Sequence, residues 1–167
     1  MRTLALVAMG ISFSTPAWAL DGYQDRRGAY AGLAVGGGLV SGGGDPQVGF
    51  RIGARVGGGL SQQLTADIGI DYGAIPELDS KTLGFDLAAN FFPLEHAFVR
   101  AGAGLAMLYP DVGDKQAGLG AILGAGVEAF FGADMAGGFA LTYEPEFYGG
   151  DEGTIHQFLG TVAISWY

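Results

Sequence analysis

The most constraining feature of this chain is a two-residue alternation in which one face is apolar and the other carries glycine and charge. Phe50, Ile52, Ala54, Val56 and Leu60 share one face, and Arg51, Gly53, Arg55, Gly57 and Gly59 share the other. Leu64, Ala66, Ile68, Ile70 and Tyr72 then oppose Thr65, Asp67, Gly69, Asp71 and Gly73, and the pattern runs on to Phe158, Val162, Ile164 and Trp166. Alternation of this kind marks strands whose two faces meet different surroundings. A soluble barrel packs its apolar face inward and shows water a charged exterior. Here the second face is too small-sided to be a solvated coat, yet it fits inside a narrow barrel. The apolar face must then meet lipid.

Turn residues divide the chain into eight such runs, near 28–40, 47–60, 64–74, 81–92, 97–109, 117–131, 136–148 and 154–167. Each is at least as long as a tilted membrane strand, ~9–11 residues. An open sheet edge cannot persist in hydrocarbon, so the sheet must close. The expected fold is an all-β, eight-stranded antiparallel up-and-down transmembrane β-barrel. An even strand number brings both termini to one side, which in membrane barrels is the side of the tight turns. With the first strand running outward, Tyr30, Phe91, Phe131, Trp166 and Tyr167 fall near the inner rim, and Phe50, Tyr109 and Phe147 near the outer rim. Two aromatic girdles flanking an apolar band are what such a barrel requires.

The first residues predict export. Arg2, the apolar stretch Leu4 to Phe13 and the small-residue site Ala17-Trp18-Ala19 form a signal peptide over 1–19, leaving a barrel domain over 20–167. A length of 167 residues suits one domain. The formal net charge of −9 argues against nucleic acid, whose phosphates need Lys and Arg. The chain has no cysteine, which removes disulfides, thiolate catalysis and Cys-based metal sites.

The signal peptide, the eight amphipathic strands and a last strand from Phe158 to Tyr167 ending in aromatics are together similar to the small OmpA/OmpX-type outer-membrane barrels. The resemblance covers residues 28–167. It implies a monomer in the bacterial outer membrane, in contact with outer-membrane lipid and lipopolysaccharide. It also implies that the barrel-assembly machinery reads the aromatic C-terminal strand. The chain departs from the family in two details. Its outer loops are short, and the lipid-facing phase ends at Trp166, leaving Tyr167 as one extra residue.

Three constellations could carry function. The inward charge set comprises Arg51, Arg55 and Arg100 with Asp67, Asp71, Asp86, Glu128, Glu144 and Glu146. If Leu60 pairs with Leu64, Arg55 lies diagonally from both Asp67 and Asp71, within reach of a long side chain. Arg55 is then the expected hub of an ion-paired plug, and removing a partner strands a buried charge. The alternative is a narrow pore, for which the glycine lining (Gly53, Gly57, Gly69, Gly84, Gly102, Gly104, Gly120, Gly124 and Gly126) would leave volume. Eight strands otherwise enclose only what side chains fill.

The outer rim is acidic, with Asp45, Glu77, Asp79, Asp111, Asp114, Asp151 and Glu152 beside Lys81 and Lys115. Carboxylates suit hard cations, but no twelve-residue calcium loop is present, and solvated loop charges are the plainer reading. Catalysis is the third possibility, because some barrels of this family modify lipid A. His156 lies on the strand beside Glu144 and Glu146, yet the alternation points it outward and no serine completes a triad. His96 falls in a turn. No phosphate loop, dinucleotide fingerprint or zinc spacing occurs. The expectation is therefore a non-enzymatic barrel without cofactor or metal. Its role would be structural or interactive at the bacterial surface.

Overall fold

A computed structural model describes residues 26–42, 44–111, 113–149 and 153–167. The expected signal peptide lies outside these residues, as do Asp151 and Glu152 of the acidic rim. The strands are β1 (Gly28–Ser41), β2 (Gln47–Gly59), β3 (Leu64–Ile75), β4 (Ser80–Phe91), β5 (Ala97–Tyr109), β6 (Gln116–Phe130), β7 (Met135–Tyr148) and β8 (Thr154–Trp166). Every neighbouring pair is antiparallel, and β1 closes on β8, so the sheet is an up-and-down barrel with no free edge. Each strand end falls within one residue of its expected position. Leu60 and Leu64 do pair: the amides of Leu60 and Ser61 both donate to the Leu64 carbonyl, at 2.8 and 3.1 Å.

The connections are short. A 3₁₀ turn, Pro76–Leu78, joins β3 to β4 and ends at Asp79, whose φ of 45° is the left-handed conformation that aspartate tolerates better than most residues. One ladder is interrupted. The β6–β7 register runs to Gly120↔Glu146 and resumes at Leu123↔Tyr143, skipping Pro145. Proline has no amide hydrogen to give a neighbouring strand.

The alternation sorts the side chains by face. Leu33, Val35, Ile52, Val56, Ile68, Leu87, Leu105, Leu119, Leu141 and Val162 all point out and are exposed. A contiguous apolar belt around a whole molecule is far larger than a soluble monomer exposes, and it fits hydrocarbon. Among the aromatics expected at the rims, Phe50, Phe91, Phe131, Phe147 and Trp166 are exposed on this outer face, and Tyr109 is half-exposed there.

Tyr30 and Tyr167 depart from expectation. Tyr30 is only 6% exposed and points into the lumen, where its ring stacks on that of Tyr167 at a centroid separation of 5.1 Å. Height along the strand alone puts both at the lipid-facing rim. Strand phase decides otherwise, because Leu33 and Val35 take the outward phase of β1 and Trp166 takes that of β8.

The glycine face packs tightly. A side-chain carbon at Gly57 would meet the Asp67 Cβ at 2.8 Å, and one at Gly126 would meet the Phe98 ring at 2.6 Å. At Gly69 and Gly84 it would collide with the carboxylates of Asp86 and Asp71. At these four positions the glycine vacates the space into which a neighbouring strand's larger side chain folds.

This packing makes a contrast at two glycines. Gly38 lies against the Phe158 carbonyl, whereas a carbon added at Gly132 meets nothing within 4 Å. Gly38→Ala should lower the urea unfolding midpoint of the folded barrel by the equivalent of about 1–3 kcal/mol, the usual range for overpacking. Gly132→Ala should leave it almost unchanged. Equal midpoints for the two variants would refute the tight-lumen reading.

Candidate functional site

The lumen holds two ionic layers. The inner layer centres on Asp67, which is 2% exposed. Arg100 grips it with both terminal nitrogens, Nη1 to Oδ2 at 2.9 Å and Nη2 to Oδ1 at 2.7 Å. Tyr30 donates its hydroxyl to Oδ2 at 2.7 Å, and Asn90 donates its amide to the same oxygen at 3.1 Å. Arg100 also meets Asp86 at 3.2 Å and donates to Asn90 Oδ1 at 3.0 Å. A two-pronged guanidinium–carboxylate contact is among the stronger polar pairings available to a protein.

The second layer centres on Arg51. Its Nε meets Asp71 Oδ1 at 2.8 Å, its Nη1 meets Glu144, and its Nη2 donates to Gln157 Oε1 at 2.9 Å, with Glu146 at 3.8 Å. Thr142 donates to Glu144 at 3.0 Å, and Tyr148 donates to Glu146 at 2.7 Å.

Arg55 is not the hub expected of it. Its register partner is Gly69, so Asp67 and Asp71 do lie diagonally from it. Both are already taken, by Arg100 and Arg51, and Arg55 forms no ion pair or hydrogen bond among the described residues. Instead it lies between the layers and borders cavities of about 70 Å³ and 40 Å³. Either volume has room for water at a polar site. The physical reason is curvature. Arg100 and Asp67 sit on β5 and β3, and the closed wall brings these alternate strands face to face across β4.

Both ends of the lumen are filled. At the end away from the termini, Val40, Ile75, Ala106, Leu108, Tyr148 and Ile155 form a buried apolar cluster. At the terminal end, Arg26 is fully buried. Its Nε meets Glu128 Oε1 at 3.0 Å, its Nη2 donates to the Glu95 carbonyl at 2.6 Å, and its guanidinium lies 3.8 Å from the centre of the Phe92 ring. Tyr167 donates to the other Glu128 oxygen at 3.0 Å, and its ring packs against Phe130 at 5.1 Å. Glu128 thus joins the residue that leads towards β1 to the last residue, Tyr167, as part of the terminal plug and away from the two arginine layers. Strand periodicity could not find Arg26, which precedes β1 and belongs to no alternation.

The remaining candidates lie elsewhere. His156 is on the outer face, its Nδ1 2.7 Å from the Tyr143 hydroxyl, with the barrel wall between it and the lumen carboxylates Glu144 and Glu146. Asp45, Glu77, Asp79, Asp111 and Asp114 are exposed, and among the described residues no group of His, Asp and Glu could hold a metal ion.

A closed eight-stranded barrel, apolar outside and charge-paired within, invites comparison with solved structures. The chain is similar to Neisserial surface protein A, with a TM-score of 0.66 and 15% identity over 84% of this chain and 99% of that one. It has the fold of the small outer-membrane barrels. The N-terminal barrel domain of Pseudomonas aeruginosa OprF is similar at a TM-score of 0.50 and 16% identity, over 86% of this chain and 98% of the domain. The outer membrane protein OprG of the same organism is similar at a TM-score of 0.50 and 10% identity, covering 87% and 98%. By sequence, the chain matches no family model and no curated protein.

The two lumen arginines make opposite demands. Arg100→Met strands Asp67 and should cost about 3–5 kcal/mol, the usual penalty for breaking a buried pair. Arg55→Met removes no ion pair and should cost less than half as much. Chemical unfolding of the two variants in detergent micelles checks this, and a larger loss for Arg55→Met would overturn the assignment.

Proposed function

We propose that this chain is an integral protein of the bacterial outer membrane, with a structural or interaction role at the cell surface and a lumen that does not conduct. The observation that carries this reading is the filling of the lumen. An apolar cluster occupies one mouth, a buried arginine among aromatic rings occupies the other, and paired charges lie between. Ions would have to displace all three. A protein with a closed lumen acts through its outer wall and its rims. The outer belt supports insertion among lipids, and the similar Neisserial barrel is by its name a surface protein.

A narrow pore is the alternative, favoured by the two cavities beside Arg55. They total a few water molecules in size, and filled mouths flank them. Catalysis gains no support from His156, which faces lipid with a tyrosine rather than a carboxylate as its partner.

Planar-bilayer recording separates the two main readings. Folded protein, verified by its heat-sensitive electrophoretic mobility, should insert without single-channel steps. Reproducible steps from the folded form would replace the closed reading with the pore.

A further inference from the structure

The sequence contains only two lysines, Lys81 and Lys115, and the fold brings both to one aromatic side chain. Lys81 near the start of β4 is the register partner of Tyr109 at the end of β5. The loop 110–115 then returns the chain so that Lys115 Nζ stands 5.2 Å from the centre of the Tyr109 ring. The Tyr109 hydroxyl lies 3.3 Å from Met107 Sδ, which lays the ring along the barrel wall. Both lysines are exposed on the rim away from the termini, and the wall below them is apolar, with Leu105 and Leu119 exposed.

The basic residues are sorted by type. Arg51, Arg55 and Arg100 face the lumen, Arg26 fills the terminal mouth, Arg27 is exposed beside it, and of the described Lys and Arg residues only the lysines stand on the opposite rim. Carboxylates are plentiful, 17 Asp and Glu against 8 Lys and Arg, and Asp79, Asp111 and Asp114 lie in the same two loops. Even so, neither lysine forms an ion pair among the described residues. Two ammonium groups without an ion pair among the described residues, standing above an apolar wall, match a lipid that carries negative charge above its acyl chains. Lysine serves as a compact point charge for phosphate.

We propose that Lys81, Tyr109 and Lys115 form a binding site for the phosphate groups of a phosphorylated glycolipid in the outer leaflet, whose acyl chains lie along Leu105 and Leu119. This rests on the reading that the chain sits in the outer membrane with this rim outward.

Because these are the only side-chain amines, one chemistry tests both levels. On intact cells, a membrane-impermeant amine-acylating reagent should modify Lys81 and Lys115. Modification only after the outer membrane is permeabilised would overturn the orientation, and the site with it. The purified, folded barrel is then acylated in phosphatidylcholine vesicles containing diphosphorylated lipid A or its dephosphorylated form, and the two lysine peptides are followed by mass spectrometry. The diphosphorylated lipid should slow both by about fivefold, the effect of one lysine near an anionic surface, while the dephosphorylated lipid should not. Equal rates with the two lipids would overturn the site. Equal protection by millimolar inorganic phosphate would overturn a lipid source in favour of a free anion. A K81Q/K115Q double variant should keep its heat-sensitive mobility yet retain about 25-fold less diphosphorylated lipid A through purification. Unchanged retention would also reject the proposal.

Discussion

A carboxylate cut off from water must be met by donors, and the architecture of this lumen follows from how Asp67 is met. Four hydrogen bonds converge on it, two from Arg100 and one each from Tyr30 and Asn90. Those donors come from β5, β1 and β4, so one side chain ties together the walls that curvature brings face to face. Space for the arrangement comes from glycine. Gly57 lies opposite Asp67 in the β2–β3 register, and a side-chain carbon there would meet the Asp67 Cβ at 2.8 Å. Charge and glycine alternate across neighbouring strands because a narrow barrel cannot hold two side chains at one height. Burying an unmatched charge costs several kcal/mol, so the register of three strand pairs is fixed by polar chemistry as well as by the apolar belt.

The same economy of space bears on function. Three arginines face five carboxylates between the two mouths, and two of the arginines are bound within layers. The third, Arg55, borders two small cavities between the layers. Filling at both mouths is of different kinds. One is an ordinary apolar core in miniature, and the other is an arginine held by a carboxylate, a carbonyl and aromatic faces. That second plug also joins the approach to β1 with the end of β8, since Arg26 and Tyr167 share Glu128. The sheet closes by β1 pairing with β8, and the plug repeats that closure with side chains. A barrel filled in this way meets its surroundings through its outer surface, where the sparse lysines stand over exposed leucines.

Strand number, strand ends within a residue, and the inward face of the strand charges such as Arg51, Asp67 and Arg100 were legible in the amino-acid order. The reason is that a period of two, interrupted by turn residues, is a local property: Phe50 to Leu60 and Leu64 to Tyr72 declare their faces without reference to the rest of the chain. The outward place of His156 was legible on the same ground. Which lumen charges meet was not. Neighbouring-strand logic points Arg55 at Asp67 and Asp71, but closure lets Arg100 reach Asp67 across β4 and Arg51 reach Glu144 on β7. Contacts across a barrel depend on its curvature and stagger, which only the joined ring possesses. Tyr30 and Tyr167 teach the same point at a smaller scale. Their height along the strand was clear, but their inward phase gives them to the plug and not to the lipid. Local alternation therefore determined the class of fold and which strand charges face the lumen. The tertiary structure decided the pairing, the plugs and the meeting of the two lysines at Tyr109, because each joins residues whose proximity exists only once the sheet has closed.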